Sequence, residues 1–150
     1  MSRIRPHLSL FRNKESGDFV LHNFAINPDI GASTSCGSSV TVPDSVMRMQ
    51  GRELVLQNLR EFHRRQPSPS AFTKLTRKEK AGFYALHDLV SIDQMDRDQL
   101  RLTPMHRVSA IGFEGAIDGA EDVIIPADAS EHFFYAELLI AFRRSSKVLP

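Results

Sequence analysis

Cys36 sits in the run Ser33-Thr34-Ser35-Cys36-Gly37-Ser38-Ser39, a small, flexible context in which backbone N–H groups could flank a thiolate and hold an oxyanion. A cysteine nucleophile also needs a base, and no local signature of a cysteine hydrolase surrounds Cys36, so a histidine would have to arrive from elsewhere in the chain. The competing reading is a solvent-facing or half-buried loop cysteine without catalytic work. His87-Asp88 is the second candidate, because a carboxylate beside an imidazole can hold one tautomer of a general base. Sequential neighbours point apart in a strand or a helix, however, so a surface or structural histidine competes with that reading too. The 6 histidines, at 7, 22, 63, 87, 106 and 132, show neither the H-E-x-x-H spacing nor a finger-type arrangement, and no metal site or cofactor is predicted. Gly31 and Gly37 do not form a phosphate loop, since no Lys-Ser or Lys-Thr follows to reach the phosphates.

Charge is a stronger signal than any of these. The formal net charge is only +1, which implies no general attraction to nucleic acid or membrane. Its distribution is uneven. Residues 109–141 contain no lysine or arginine but carry Glu114, Asp118, Glu121, Asp122, Asp128, Glu131 and Glu137, whereas segment 60–80 holds Arg60, Arg64, Arg65, Lys74, Arg77, Lys78 and Lys80 against Glu61 and Glu79. Such a chain either neutralises itself on folding or presents an acidic face to a basic partner, gaining association rate and specificity. Solvated helix and turn charges are the plainer alternative. The basic segment lacks interleaved stacking aromatics and a recognisable module, so direct nucleic-acid binding is not expected, though it stays a rival reading for 60–80.

The elements that must position these groups can be read from pattern. The 150 residues suit one domain, burying roughly 68–70% of the surface exposed by the unfolded chain. The single cysteine, the lack of an apolar leader region and the lack of a span-length apolar run predict a cytoplasmic chain without membrane contact. Segments 7–12 and 18–23, separated by Asn13-Lys14-Glu15-Ser16-Gly17, predict a β-hairpin. Residues 27–39 read as a flexible loop and 40–42 as a short strand. Asp44 is expected to cap a helix reaching about residue 65, with Val55, Leu59 and Phe62 on one face and Gly51 as a weak point. Thr76 and Glu79 form a capping box, but residues 76–87 suit helix and strand alike. Runs 89–92, 99–103, 107–113 and 122–125 read as strands separated by polar turns and by Pro104.

The clearest unit is the end of the chain, 123–146. A β-branched run stops at Pro126, Asp128 and Glu131 have capping-box spacing, and Phe134, Leu138, Ala141 and Phe142 form one apolar stripe. Arg143 and Arg144 follow, where the helix dipole favours cations. The whole predicts an α+β fold: a single domain with a largely antiparallel sheet, covered on one face and packed against two or three helices, with a frayed tail at 146–150.

This ending, I-I-P-A-D-A-S-E-H-F followed by A-E-L-L-I-A-F-R-R-S, resembles the C-terminal signature of immunity proteins of bacterial contact-dependent growth inhibition systems. The preceding F-Y-A-L-H-D-L-V-S-I-D and L-R-L-T-P, at 83–93 and 100–104, are similar in arrangement, so the resemblance covers about the last 70 residues. Tyr135-Ala136 stands where such helices often carry Leu-Gly. The resemblance implies a small cytoplasmic protein, not an enzyme, that binds the cognate toxin domain, the C-terminal fragment of a large adhesin, and blocks its active site. Toxins of this kind are commonly nucleases with basic clefts. The expected interface is therefore the acidic set Glu114, Asp118, Glu121, Asp122, Asp128 and Glu131, with a small enzyme using Cys36 or His87 as the rival reading.

Overall fold

The computed structural model describes residues 4–146, apart from the side chains of Ser38 and Ala71. The frame is a seven-stranded sheet in the order β3-β2-β1-β4-β5-β6, with β7 also paired to β5. Every neighbouring pair is antiparallel. Strands β1 (His7–Asn13) and β2 (Phe19–Asn27) form the expected hairpin. Its turn is set by Asn13, whose side-chain oxygen accepts the amides of Glu15 and Ser16, and by Gly17 at φ 76°.

The expected loop at 27–39 is corrected: after a short turn, residues 32–39 belong to β3 (Ala32–Val42). Asn27 builds that turn by accepting the Asp29 amide on its side chain, and β3 then returns along β2. Gly37, at φ 71°, falls where β3 slips register against β2 between Leu21 and Asn23. Glycine and serine here serve a bulged edge strand, where small residues fit the extra backbone.

A second correction concerns Pro104. Expected strands 99–103 and 107–113 are not separate, because β5 (Gln99–Ser109) runs straight through the proline beside β4 (His87–Gln94). On its other edge, β5 pairs with β7 (Val123–Pro126) as far as Leu102 and with β6 (Gly112–Gly115) from Met105. Pro104 sits in the gap between those partners, where the outer edge is not asked for an N–H.

Register sorts the sheet into two faces. Leu8, Leu10, Phe19, Leu21, Val90, Ile92, Leu100, Leu102, Val123 and Ile125 share one buried core with Met47, Val55 and Leu59 of α1 (Asp44–Arg60) and Phe134, Leu138, Ala141 and Phe142 of α3 (Glu131–Ser145). Burying a Leu or Phe fully contributes about 1.5–3 kcal/mol, so this layer dominates folding. Gly51 is part of the packing: a Cβ there would stand 2.5 Å from Met47 Sδ and 3.4 Å from a ring carbon of Phe134.

Helix starts follow capping physics with altered assignments. Asp44 does not cap α1; it is the first helical residue, and Asp18 of the hairpin accepts its amide instead. α1 ends at Arg60, short of the expected 65, and a 3₁₀ turn (Phe62–Arg64) follows. Ser130, rather than Asp128, caps α3 through the Phe133 amide, which frees Glu131 to turn away from its own helix. The segment left open at 76–87 is helix α2 (Arg77–Leu86), begun by the full Thr76–Glu79 capping box. Of the expected frayed tail, only Ser146 lies within the described residues, where its amide bonds the Phe142 carbonyl.

The sheet is not bare on its second face, contrary to expectation. α2, the 3₁₀ turn at Phe62–Arg64 and a second at Ala71–Lys74 cover part of it with aromatic rings: Phe11 meets Phe72, Phe83 and Tyr84, and His7 lies between Phe24 and Phe62. His22 is buried in this layer, beside Phe24 and Phe72, with Ser39 and Ser70 at its ring nitrogens.

Burial lowers the His22 pKa from 6.5 to about 4. The folded protein therefore holds His22 neutral, while the unfolded chain takes up its proton near pH 6.5. This contribution is whole above pH 6.5 and is lost as pH falls towards 4, by about 1.4 kcal/mol per pH unit and on the order of 3 kcal/mol in all. Urea denaturation between pH 4 and 7 should show that slope, and His22→Gln should flatten it.

Candidate functional site

The residues singled out for enzyme chemistry are not assembled for it. His87 is buried, stacked on Phe83 at 3.9 Å with Nδ1 2.7 Å from the Phe83 carbonyl. Asp88 lies on the opposite face of β4, as successive strand residues must. There it is 4.0 Å from Lys14, and burial raises its carboxyl above the usual range. Cys36 is buried on β3, where its thiol donates to the Gln66 carbonyl and lies 3.3 Å from Ser68 Oγ. Among the described residues, no group of His, Cys, Asp and Glu side chains converges as a metal site, and no helix is long and apolar enough to cross a membrane.

The second sheet face stays open on the side of β5 and β7. Two hollows of about 350 and 470 Å³ share Arg101 and Thr103 as floor. One is bounded by Ile4, Arg5 and His7, and the other by Met95, Ile124 and the connection from β6 to β7. Arg101 organises the floor through a two-pronged contact with Asp93, Nε to Oδ1 at 2.9 Å and Nη2 to Oδ2 at 2.9 Å. Asp122 stands 4.0 Å away on the same guanidinium, and Arg5 approaches Asp93 at 3.9 Å. The hydrogen bonds that Arg101 donates to Asp93 raise the Arg101 pKa further.

The acidic set predicted from sequence divides into two groups. Glu121, Asp122 and Glu131 are tied into the fold. Glu121 is hydrogen-bonded to buried His106, and its carbonyl accepts Arg144. Glu131 reaches across to α1, where Oε1 accepts the Arg52 amide at 2.8 Å and Oε2 the Glu53 amide at 3.1 Å. Glu114, Asp118 and Asp128 are exposed. Glu114 lies on β6 and Asp118 in the β6–β7 connection, but Asp128 belongs to a separate hollow of about 560 Å³ lined by Arg52, Arg60 and Arg97.

Among the described residues, no ion pair joins segment 60–80 to the acidic set: Arg60 pairs with Glu53 and Arg65 with Glu61. Glu131 meets Arg52 and Asp122 meets Arg101 instead, both cations from outside segment 60–80. Sequence reasoning missed Asp93, Arg101 and Arg5, whose meeting depends on strand register, and Ile117 and Ile124, which are 84% and 51% exposed. Alternation along Val123-Ile124-Ile125-Pro126 carried a signal for Ile124, since a run buried on one side must turn its other residues out.

A one-domain α+β scaffold with a curled antiparallel sheet, two helices sealing one face and a partly open second face is thus the class of molecule. No family model matches the sequence, and no curated protein matches it. The chain is similar in fold to a protein of unknown function from Neisseria meningitidis: TM-score 0.65 and 16% identity, over 96% of this chain and 99% of that one. It is equally similar to a chain of the CdiA-CT/CdiI toxin and immunity complex from Yersinia pseudotuberculosis. There the TM-score is 0.67 at 14% identity, over 95% of this chain and 98% of that one.

Glu131→Ala removes the acceptor for two α1 amides and a partner for Arg52, and should cost about 1–3 kcal/mol of stability. Asp128→Ala, at an exposed site, should stay within about 0.5 kcal/mol. Urea midpoints of the two variants compare them directly, and equal midpoints would refute the division of the acidic set.

Proposed function

We propose that this chain is an immunity protein of a bacterial contact-dependent growth inhibition system, acting in the cytoplasm by binding its cognate toxin domain and blocking that domain's active site. The observation that carries the reading is the likeness in fold, over nearly the full length of both, to a chain of a toxin and immunity complex. The resemblance of the C-terminal segments agrees with it. On this reading the protein is not an enzyme, and Cys36 and His87 are packing residues, consistent with their buried settings and their contacts with Gln66, Ser68 and Phe83.

The partner is proposed to be a nuclease-type toxin domain, the C-terminal fragment of a large adhesin, with a basic cleft. The interface is proposed to use the acidic set Glu114, Asp118, Glu121, Asp122, Asp128 and Glu131. Glu114, Asp118 and Asp128 would meet the toxin directly, while Glu121, Asp122 and Glu131 add negative potential from within the fold.

A pull-down from the native bacterium with mass identification, then titration of the purified pair, tests the role. Recovery of an adhesin fragment that binds at nanomolar affinity and loses toxicity on co-expression is the expected result. Recovery of nothing, or only of a metabolic enzyme, would sink the reading. With the pair in hand, reversing Glu114 and Asp118 to lysine should slow association roughly tenfold at low salt, with the difference shrinking as added salt shortens the screening length. An unchanged rate at low salt would remove the acidic segment from the interface.

A further inference from the structure

Ile117 stands in the connection between β6 and β7, where solvation alone would select a polar residue, and it is 84% exposed. Its backbone is fixed. The Gly119 amide bonds the Ala116 carbonyl, the Ala120 amide bonds the Ile117 carbonyl, and the Asp122 amide closes back on the Gly119 carbonyl at 3.0 Å. Asp118 is held at φ 57°, a left-handed conformation that a non-glycine residue adopts at a cost. Gly119, at φ 66°, leaves room for the Asp122 carboxylate, which would stand 2.6 Å from any Cβ placed there. Arg144 holds the carbonyl of Glu121 at the far end of the turn. Ile117 is therefore displayed on a braced turn. Ile124, 51% exposed, lines the 470 Å³ hollow that the same turn borders.

The surroundings of this knob are acidic. Glu114 and Asp118 are exposed beside it in the chain, and no lysine or arginine occurs in 109–141. The one cation lining the hollow, Arg101, is already held by Asp93 and faces Asp122. An apolar knob flanked in the chain by the exposed carboxylates of Glu114 and Asp118 is complementary to an apolar socket rimmed by lysine or arginine. A second copy of this chain is a poor occupant, because a like-with-like contact would press the carboxylates of Glu114 and Asp118 together.

We propose that Ile117, with the exposed Ile124 on the strand that the same turn leads into, is the anchor that seats in an apolar, basic-rimmed socket on the toxin domain. This deepens the immunity reading and rests on it. It divides the work at the interface: the knob holds the complex, while the carboxylates speed its formation. Binding energy concentrates in desolvated apolar anchors, whereas rim charges act mainly on the association rate.

The test uses the intact chain and the adhesin fragment recovered with it, separated under denaturing conditions and refolded. Ile117→Ala should weaken binding about tenfold or more, and Ile117→Asp roughly 30-fold or more, chiefly through faster dissociation. Both variants should keep the parent melting temperature, since the side chain is exposed. Ile117→Asp also separates anchor from charge, because an added carboxylate should otherwise favour a basic partner. Parent affinity in Ile117→Asp and Ile124→Asp, with the parent itself binding tightly, would overturn the anchor and leave the immunity role standing. No binding by the parent would remove both. A dimer of the isolated chain in sedimentation, dissolved by Ile117→Asp, would assign the knob to self-association and also overturn the proposal.

Discussion

Two helices must lie side by side on one face of a single sheet, and the rest of the molecule depends on how closely they approach. Gly51 makes that approach possible, since any side chain there would meet Met47 and Phe134. Glu131 then fastens the pair by giving its carboxylate to the Arg52 and Glu53 amides in the middle of α1. Tyr135 adds a second tie, donating to Asp44 while the Arg48 guanidinium lies 4.6 Å from its ring centroid. Partial burial works against ionisation of Asp44, but the hydrogen bonds from Tyr135 and Arg48 prevail and hold its carboxyl below the usual range. With both helices placed, the alternation of the strands sends Leu8, Leu10, Val90, Ile92, Leu100 and Leu102 into one core.

The second face is where the molecule has freedom to differ. Aromatic rings beneath α2 and the 3₁₀ turns cover its β1–β2 side, while the β5–β7 side stays open around Arg101, with Ile4, Met95 and Ile124 at its margins. Exposed ion pairs such as Arg60–Glu53 are worth little to folding, typically about 0–1 kcal/mol. Of the acidic set, Glu121, Asp122 and Glu131 serve the fold by meeting His106, Arg101 and Arg52. Among the described residues, no ion pair joins segment 60–80 to the exposed Glu114, Asp118 and Asp128.

Several sequence signals were local and survived folding unchanged. The Asn13–Gly17 turn, the Thr76–Glu79 capping box and the Phe134, Leu138, Ala141, Phe142 stripe each depend on contacts within a few residues. Others looked local but were settled at a distance. Asp128 and Glu131 have the spacing of a capping box, yet Ser130 caps the helix and Glu131 serves α1. The small residues of 27–39 read as a loop because composition cannot reveal that β2 offers them a pairing edge. Pro104 read as a strand break because only the sheet shows that β6 and β7 leave its outer edge unclaimed.

By itself, the sequence determined the α+β class, the first hairpin, the final strand-to-helix unit and the segregation of acidic from basic segments, since these follow from residue type and near-neighbour spacing. Tertiary structure alone decided which carboxylates are structural and which are exposed. Glu121, Asp122 and Glu131 meet His106, Arg101 and Arg52 only across strands and helices distant in the chain. It also decided that Ile117 is displayed where other isoleucines such as Ile92 and Ile125 are buried. Exposure is a property of the packed surface, and an isoleucine carries no mark in its sequence of which side of that surface it will occupy.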